Sequence, residues 1–226
     1  MSAADLPLDD ALFDRMAREL YVAVIADVLD ALGHRDQVMR AGIRPVLSDP
    51  TLVLVGRAAT LLVAPTFERP EAPYTDQIAA IDALSPGDVP VIATAGPDGA
   101  AVWGELFSNA ARARGARGTL TDGYHRDTRM LLELGYPVFS AGARPSDIAG
   151  RGVVVGAGVP VACGGVLVRP GDIVFAEVDG VAVIPAAAAG EAVARAFAKA
   201  ATEDRARDDL RAGALLGEVW DRYRVL

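Results

Sequence analysis

The sequence predicts a single α/β domain with helical arms at both ends of the chain. Apolar residues recur at helical spacing near both termini, and between these parts short β-branched runs alternate with helical stretches. A length of 226 residues corresponds to one large domain, and a hydrophobic content of 52% is enough to build its core. We therefore predict one domain over residues 1–226, with an N-terminal arm at 1–33 and a C-terminal arm at 186–226.

The N-terminal arm is predicted as one helix that runs from Asp10 to Leu32. Apolar side chains recur there at steps of three to five residues, and Gly33 stands where a helix-ending glycine belongs. A proline-bounded connector follows at residues 43–50. Residues 52–63 are apolar and β-branched, which is typical of a buried strand, and we expect a bend at Gly56.

Helices and strands alternate through the central part of the chain. The sequences SPGD at 85–88 and GPDG at 96–99 predict turns, because glycine and proline favour them, and the proline-rich residues 65–74 predict a loop. We predict helices over residues 76–83, 104–114 and 128–134, and strands over residues 89–94, 119–122 and 138–140.

The chain then becomes rich in β-branched residues before its final helix. Strands are predicted over residues 152–156, 159–163, 166–168, 173–177 and 181–184. Pro185 closes this run, and residues 186–215 are predicted as a helix that Gly213 ends, followed by a short segment over 218–223. Terminal arms of this kind often pack on neighbouring subunits.

Charge and composition exclude several classes of protein. The net charge of −8 and pI of about 4.8 argue against a nucleic-acid binder, which needs clustered lysine and arginine. The single cysteine, Cys163, excludes an intrachain disulfide and a cysteine-cluster zinc site. With only His34 and His125 available, a histidine-rich metal centre is excluded too. A metal ion in this protein would be held by carboxylates and water.

We expect a cytoplasmic protein without a membrane segment. Residues 1–10 lack the basic start and apolar run of a signal peptide. The longest apolar stretches are far shorter than the roughly 20 residues that cross a bilayer.

The stretch from Trp103 to Asp127 carries the candidate site. A helix is predicted to begin at Gly104, and the unpaired backbone amides of its first turn are suited to receive a carboxylate. The strand over 119–122 packs back along this helix, so the chain returns to the end at which the helix begins. We therefore expect Arg126 and Asp127 to lie near the Gly104 amides.

Arg126 and Asp127 are suited to bind a small 2-keto acid together with a divalent metal ion. An arginine offers a bidentate fork to a carboxylate, and an adjacent aspartate can hold Mg²⁺ directly or through water. The same two residues are also typical of a surface ion pair at a turn, which contributes little to stability. The residues alone leave both interpretations open. We interpret the neighbouring His125 as a hydrogen-bonding group beside the site rather than a metal ligand.

An ordered set of motifs resembles one known family over nearly the whole chain. The spacing from Gly104 to Arg126 fits that family's pattern, and the most specific motif is Asp122-Gly123 followed by Arg126-Asp127. The chain resembles the family that contains the regulator of ribonuclease E activity A and the 4-hydroxy-4-methyl-2-oxoglutarate aldolases. Other matching motifs are IADVLDALG (25–33), IRP (43–45), VGRAAT (55–60), LSPGDV (84–89), WGEL (103–106), ELGYPVF (133–139), VRPGD (168–172) and DGVAVIP (179–185).

The resemblance implies a fold and an assembly. The fold is a three-layer β/β/α "swivelling" arrangement. Members assemble as trimers or as dimers of trimers, with active sites between subunits. We therefore expect a homotrimer or a hexamer.

The resemblance also implies roles for individual residues. Backbone amides of Gly104, Glu105, Leu106 and Phe107 bind the substrate, and Arg126 binds its keto-acid end. Asp127 is the ligand of Mg²⁺ or Mn²⁺, with waters completing the coordination. An acidic residue from a neighbouring subunit's C-terminal helix helps to hold that water shell, and Glu203 is our candidate for it, with Asp204 second.

The implied reaction is a metal-dependent cleavage of a 2-keto acid that releases pyruvate, by retro-aldol chemistry or by decarboxylation of oxaloacetate. Its base is a water polarised either by Glu105 or by the cross-subunit acid, and both assignments stay open. Met130 stands where aldolase members tend to carry an acid, which weakens the specific aldolase assignment. His125 and Glu177 are further departures, at positions where an apolar residue and Asp are more usual. The alternative is a non-catalytic regulator on the same scaffold that binds a ribonuclease or another protein.

Overall fold

The structure, a computed structural model, describes residues 7–95 and 99–225. The helices within these ranges are α1 (Asp10–Glu19), α2 (Val22–Ala31), α3 (Thr75–Asp82), α4 (Glu105–Ala113), α5 (Thr128–Leu134), α6 (Ala189–Arg211) and α7 (Leu216–Tyr223). A short 3₁₀ turn over Ala186–Ala188 leads into α6. The turn predicted at residues 96–99 lies outside the described residues except for Gly99.

Most of the strands belong to one large mixed sheet. The strands are β1 (Arg44–Pro45), β2 (Leu54–Pro65), β3 (Asp88–Thr94), β4 (Ala101–Trp103), β5 (Thr119–Thr121), β6 (Tyr124–His125), β7 (Val138–Ser140), β8 (Gly142–Ala143), β9 (Gly152–Ala157), β10 (Val161–Cys163), β11 (Val166–Val168), β12 (Ile173–Glu177) and β13 (Gly180–Ile184). The main sheet has the order β1-β7-β5-β3-β2-β12-β13, and β9 pairs with β2 as well. The long strand β2 runs parallel to β3 and antiparallel to both β12 and β9, at its two ends.

The two faces of the main sheet carry different layers. On one face, Val55 of β2 packs with α1, α2 and α6, and Leu61 and Val63 pack with α3, α4 and α5. On the other face, Leu54 and Ala58 pack with the β10–β11 hairpin. Because side chains alternate across a strand, one strand contributes to both cores. The layers are therefore hairpin, sheet and helices, which confirms the predicted β/β/α arrangement.

The N-terminal arm contains two helices where one was predicted. The backbone is extended at Leu20 and Tyr21, which separates α1 from α2. The carboxylate of Glu177 on β12 accepts a hydrogen bond from the Val22 amide at 2.9 Å and so caps the start of α2. This cap comes from a residue distant in sequence, so the apolar periodicity of the arm does not reveal it. Gly33 ends the arm with a φ of 87°, as predicted.

A second, three-stranded sheet was not predicted. It consists of β4, β6 and β8, which run parallel to one another. Each strand has only two or three residues, too few to show an alternating pattern. The connector predicted at 43–50 likewise contains the short strand β1, which pairs with β7.

The strand is regular at Gly56, where the sequence predicted a bend, and glycine is needed there for another reason. The pairing of β2 with β12 passes regularly through Gly56, and the irregular register in β2 lies between Leu62 and Val63. A Cβ atom at Gly56 would lie 2.7 Å from the carbonyl oxygen of Gly87. A close approach between two backbone segments therefore requires glycine at this position.

None of the helices in the described part of the chain has both the length and the apolar character needed to cross a bilayer.

Candidate functional site

The small parallel sheet brings two helix starts together. Strand β4 leads into α4 through Gly104, and strand β6 leads into α5 through Arg126 and Asp127. Since β4 and β6 are parallel neighbours, their carboxyl ends meet at the same edge of the sheet. The Arg126 amide donates a hydrogen bond to the Trp103 carbonyl at 2.9 Å. The structure thus places Arg126 and Asp127 beside Gly104, where the sequence argument expected them.

Asp127 is held against the N-terminus of α4. Its Oδ2 accepts a hydrogen bond from the Glu105 amide at 3.2 Å, where the helix dipole favours negative charge. Its backbone is left-handed, with φ 62° and ψ 34°, a conformation that aspartate tolerates better than most residues. A Cβ atom at Gly104 would lie 2.6 Å from Asp127 Oδ2 and 3.2 Å from Arg126 Cγ. Only glycine at position 104 allows this approach.

Two carboxylates hold the Arg126 guanidinium, and a tyrosine holds one of these carboxylates. Its Nε lies 3.7 Å from Asp127 Oδ2, and its Nη1 lies 3.3 Å from Asp147 Oδ1. The Tyr74 hydroxyl donates a hydrogen bond to Asp147, and this bond raises the pKa of Tyr74. The backbone carbonyl of Asp147 in turn accepts a hydrogen bond from Arg151 Nη1 at 2.9 Å. Neither Tyr74 nor Asp147 was predicted, since neither belongs to a motif or lies close in sequence to Arg126.

These groups form the polar end of a cavity of about 350 Å³ between α3 and α4. Trp103 is buried beside it, with its indole Nε1 donating to Ser108 Oγ at 2.8 Å. The Phe107 ring stacks on Trp103 at 5.5 Å and meets the edge of Tyr74 at 6.5 Å. Apolar side chains make up most of the remaining wall: Ile78, Ile81, Ala101, Val102, Leu106, Ala110 and Ile148.

The residues in the first turn of α4 differ in whether they line this cavity. Gly104, Leu106 and Phe107 line it, and the Leu106 side chain is 78% exposed. The Glu105 amide is engaged by Asp127, and the Glu105 carboxylate accepts a hydrogen bond from Asn109 on the same helix. In the described hydrogen-bond network the amides of Leu106 and Phe107 have no partner, as expected for the second and third residues of a helix.

His125 packs under the site rather than facing the cavity. It is buried, with Nδ1 2.7 Å from Ser140 Oγ and Nε2 3.0 Å from Thr128 Oγ1. Burial lowers the pKa of this imidazole. The ring therefore joins β6 to β7 and to the first turn of α5, directly after Asp127.

Glu203 lies in α6, in the C-terminal arm. Its carboxylate is 2.9 Å from Lys199 Nζ, and burial raises its pKa. It lines a separate cavity of about 260 Å³ with residues of α6 and α7, among them Ala206 and Val219. Asp204 is ion-paired with Arg207 on the same helix. Within one chain these two acids are not part of the Arg126 cavity, and their action across a subunit boundary stays a prediction.

A divalent ion fits the chemistry of Asp127. Within the ranges that the structure describes, no cluster of three or more histidine, cysteine, aspartate or glutamate side chains could hold a metal. A Mg²⁺ site does not require such a cluster, because the ion keeps several waters and is often held by one or two carboxylates. The hydrogen bond and ion pair described for Asp127 both use Oδ2, which leaves Oδ1 for an ion, and the side chain is 37% exposed.

Comparisons with known proteins identify the family of this chain. A family model described as RraA-like (Aldolase/RraA) matches residues 22–183. A Halalkalibacterium halodurans protein with the provisional name 4-hydroxy-4-methyl-2-oxoglutarate aldolase is 33% identical over 196 residues, which cover 84% of each chain. Protein DlpA of Legionella pneumophila is 29% identical over 201 residues, which cover 89% of this chain and 32% of that protein. This chain therefore spans about a third of the length of DlpA.

A solved structure shows the same architecture. The Streptomyces coelicolor protein RraAS2, described as an unusual member of the RNase ES inhibitor RraA protein family, superposes with a TM-score of 0.78 at 30% sequence identity. The superposition covers 88% of this chain and 98% of the Streptomyces chain. Sequence and fold agree over most of the molecule, and the chain belongs to the RraA-like (Aldolase/RraA) family.

Proposed function

We propose that this protein is a divalent-metal-dependent lyase that cleaves a carbon–carbon bond beside a 2-keto acid group and releases pyruvate. The observation that carries the proposal is the meeting of Arg126, Asp127 and the start of α4 at one end of a cavity. A cation, a carboxylate and free amides that line one end of a single cavity suit a small, anionic, carbonyl-containing substrate.

Arg126 binds and polarises the keto-acid group in this proposal. Its Nε and Nη1 face Asp127 and Asp147, so the guanidinium orientation is set before substrate arrives and Nη2 remains for the ligand. Bond cleavage moves negative charge onto the keto oxygen. A positioned cation stabilises this charge more strongly in the transition state than in the ground state, and so raises the rate.

Asp127 would hold Mg²⁺ or Mn²⁺, with water as most of the remaining ligands. When bound, such an ion supplies Lewis-acid stabilisation of the same keto oxygen. The Leu106 and Phe107 amides at the positive end of α4 bind the substrate carboxylate. Retro-aldol cleavage and oxaloacetate decarboxylation place charge on the same oxygen, so one arrangement serves both reactions.

A Schiff-base mechanism is disfavoured. Lys199 is the single lysine of the sequence, and its Nζ is engaged by Asp27 at 3.3 Å and by Glu203 at 2.9 Å. The base for retro-aldol cleavage is a water polarised by Glu105 or by an acid from a neighbouring subunit, with Glu203 as the candidate.

We further propose that the protein assembles as a homotrimer or hexamer with the cavity at a subunit boundary. The apolar residues Leu106 and Ile78 at the cavity wall are 78% and 49% exposed, and a neighbouring subunit packed against this wall would cover both. Sedimentation velocity measures the assembly, and a monomer at micromolar concentration would contradict it.

Pyruvate release with a coupled dehydrogenase tests the reaction. Oxaloacetate and 4-hydroxy-4-methyl-2-oxoglutarate are the substrates, with Mg²⁺ or Mn²⁺ and with a chelator as the matched control. We expect turnover that chelation abolishes and that the Asp127→Asn variant lacks. Metal-independent turnover, or equal turnover by the variant, would contradict the proposal.

A second candidate function is regulation of a protein partner. The net charge of −8 would let an acidic assembly cover a basic, RNA-binding surface, and the Streptomyces relative is described as belonging to an RNase ES inhibitor family. An absence of pyruvate release in the assay, combined with salt-sensitive binding to a basic ribonuclease segment, would favour this alternative.

A further inference from the structure

We infer that two arginines beside the cavity, Arg151 and Arg69, bind the carboxylate at the far end of a retro-aldol substrate, and so favour this cleavage over decarboxylation of oxaloacetate. The inference rests on the proposed function, because it takes Arg126 as the anchor of the keto-acid group. It assigns a role to two side chains that the proposed function does not use.

Two loops meet at the polar end of the cavity. Residues 66–74 follow β2, and residues 144–151 precede β9. Because β2 and β9 are antiparallel neighbours, the two loops lie side by side, and the Thr66 amide donates a hydrogen bond to the Arg151 carbonyl at 3.0 Å. Each loop contributes one residue of the cavity wall and one arginine: Tyr74 and Arg69 from the first loop, Asp147 and Arg151 from the second.

The Arg151 guanidinium contacts a residue of the cavity wall. Its Nη1 donates a hydrogen bond to the Asp147 carbonyl at 2.9 Å, and the Asp147 carboxylate lies 3.3 Å from Arg126 Nη1. Because both guanidinium groups contact one residue, their Nη1 atoms lie within about 11 Å of each other. A five-carbon dicarboxylate, with its carboxyl carbons about 5 Å apart and a hydrogen bond of about 3 Å at each end, can bridge such a distance.

Arg69 lies beside Arg151 and close to the same wall. A Cβ atom at Gly150, the residue before Arg151, would lie 3.5 Å from Arg69 Cβ. The hydrogen bond to Asp147 raises the pKa of the Tyr74 hydroxyl, and the positive charge of Arg69 opposes this rise. The two loops therefore bring two guanidinium groups to one part of the cavity rim.

Both arginines keep hydrogen-bond donors for a ligand. They are exposed, and in the part of the chain that the structure describes neither forms an ion pair with a carboxylate, including those of Glu68 and Glu71 on the first loop. The hydrogen bond to Asp147 occupies Nη1 of Arg151 and leaves Nε and Nη2. A guanidinium with two free donors is suited to bind a carboxylate.

The two proposed reactions differ in what happens to the far carboxylate. In 4-hydroxy-4-methyl-2-oxoglutarate the C3–C4 bond breaks, the C4 hydroxyl gives its proton to the base, and C4 becomes the keto carbon of a second pyruvate that keeps the carboxylate. In oxaloacetate the C3–C4 bond breaks too, but the carboxylate itself leaves as CO₂. In both reactions the electron pair forms the enolate of pyruvate, and a proton then adds to C3.

A cation at the far carboxylate therefore affects the two reactions differently. The retro-aldol transition state keeps the charge that the arginines bind, so their contribution to kcat/KM is retained. The decarboxylation transition state loses this charge, so the arginines stabilise the bound substrate more than the transition state and lower kcat. Both loops belong to one chain, and this contribution does not require that one chain form the whole site.

Steady-state pyruvate release by Arg151→Ala tests the inference in the assembled protein with Mg²⁺. We expect kcat/KM for 4-hydroxy-4-methyl-2-oxoglutarate to fall at least about tenfold. KM and kcat for oxaloacetate, corrected for the protein-free rate, should rise together, so that kcat/KM for this substrate changes far less. Arg69→Ala should act in the same direction, and Arg151→Lys should keep part of the retro-aldol activity because it keeps the charge.

Arg18→Ala, which removes an exposed arginine from α1, is the matched control and should change neither reaction. An equal fall in kcat/KM for both substrates in Arg151→Ala would show that this residue only holds Asp147 and Arg126 in place, and would overturn the inference. Unchanged kinetics with both substrates, as expected if an acid of a neighbouring subunit pairs with the arginines, would overturn it too.

Isothermal titration calorimetry separates this inference from the proposed function. The probes are pyruvate and 2-oxoglutarate, which has a second carboxylate but no hydroxyl for retro-aldol cleavage. We expect 2-oxoglutarate to bind at least about tenfold more tightly than pyruvate, and Arg151→Ala to remove this difference. Turnover without such a difference would overturn the inference and leave the lyase proposal intact. A difference that depends on Arg151, without turnover of either substrate, would overturn the lyase proposal and support the carboxylate site.

Discussion

The backbone amide of Glu105 donates a hydrogen bond to Oδ2 of Asp127 across 3.2 Å, although 22 residues separate the two. This bond ties the first residue of α4 to the residue that precedes α5. It uses Oδ2 of Asp127 and leaves Oδ1, and the amides of Leu106 and Phe107, without a partner in the described hydrogen-bond network. The candidate site therefore depends on the distance between two helix starts.

Arg126→Ala should remove the cation that stabilises the developing charge in the proposed reaction. We expect a loss of about 3 kcal/mol in transition-state stabilisation, roughly two orders of magnitude in kcat/KM, by analogy with the removal of an oxyanion donor. Steady-state pyruvate release measures it. Arg129→Ala removes an exposed arginine at the second residue of α5, paired with Glu133, and this matched control should retain activity. Full turnover by Arg126→Ala would remove this residue from the mechanism.

Gly104→Ala should separate the two helix starts. The new Cβ would stand 2.6 Å from Asp127 Oδ2, so Asp127 and Arg126 must shift. We expect weaker Mg²⁺ binding by calorimetry, and a stability change of no more than about 0.5 kcal/mol by denaturant unfolding, because both displaced side chains are partly exposed.

Gly217→Ala in α7 is the control for that change, because nothing lies within 4 Å of its Cβ position. There, alanine should stabilise the helix by about 0.5–1 kcal/mol. If Gly104→Ala left Mg²⁺ binding unchanged and stabilised the protein as Gly217→Ala does, the close packing of Gly104 against Asp127 would not be needed for metal binding.

Tyr74→Phe should loosen Arg126 through Asp147. The lost hydrogen bond contributes about 0.5–1.5 kcal/mol, so we expect KM for the 2-oxo acid to rise several-fold with a smaller change in kcat. Tyr124→Phe keeps the ring that lies 5.2 Å from the Arg144 guanidinium, and it should be neutral. A purely structural role for Tyr74 would lower the melting temperature and leave KM unchanged.

Glu177 should make stability depend on pH. Burial raises its pKa above the ordinary value of 4.5, opposed by the Val22 amide and reinforced by Asp179. Because the folded state holds the proton more tightly, this side chain's contribution is fully present below pH 4.5 and is lost as the pH rises through the raised pKa.

The Glu177→Gln variant tests this pH dependence. Glutamine keeps an acceptor for Val22 without a charge, so the variant should gain stability over the wild-type protein as the pH rises from 4 to 7. Thermal unfolding across this interval measures the difference between the two proteins. A difference that does not change with pH would contradict the expected titration.

Much of the secondary structure could be predicted because its signals are local. Helix α5 and strand β7 occur at the predicted residues 128–134 and 138–140, since Gly135 and Pro137 separate them clearly. The break between α1 and α2 could not be predicted, because the Glu177 carboxylate that stabilises it lies 155 residues away from Val22. Strands β4, β6 and β8 were missed because two or three residues carry no periodicity.

Some residues of the candidate site could likewise be predicted from the sequence and others could not. Gly104, Arg126 and Asp127 could be inferred from sequence, because a helix start and the end of a neighbouring strand are linked by a short chain segment. Tyr74 and Asp147 could not, since they reach Arg126 from a loop before α3 and a loop after β8.

The sequence by itself therefore determined the class of fold, the family and the pair of residues at the centre of the site, because these depend on local propensity and on motif order. Only the tertiary structure decided which groups surround that pair. The orientation of Arg126 comes from Asp147 and Tyr74, the close approach of Asp127 requires a missing Cβ at Gly104, and the apolar cavity arises where α3 meets α4. Such contacts form between segments far apart in the chain, and their geometry exists only once the layers have packed.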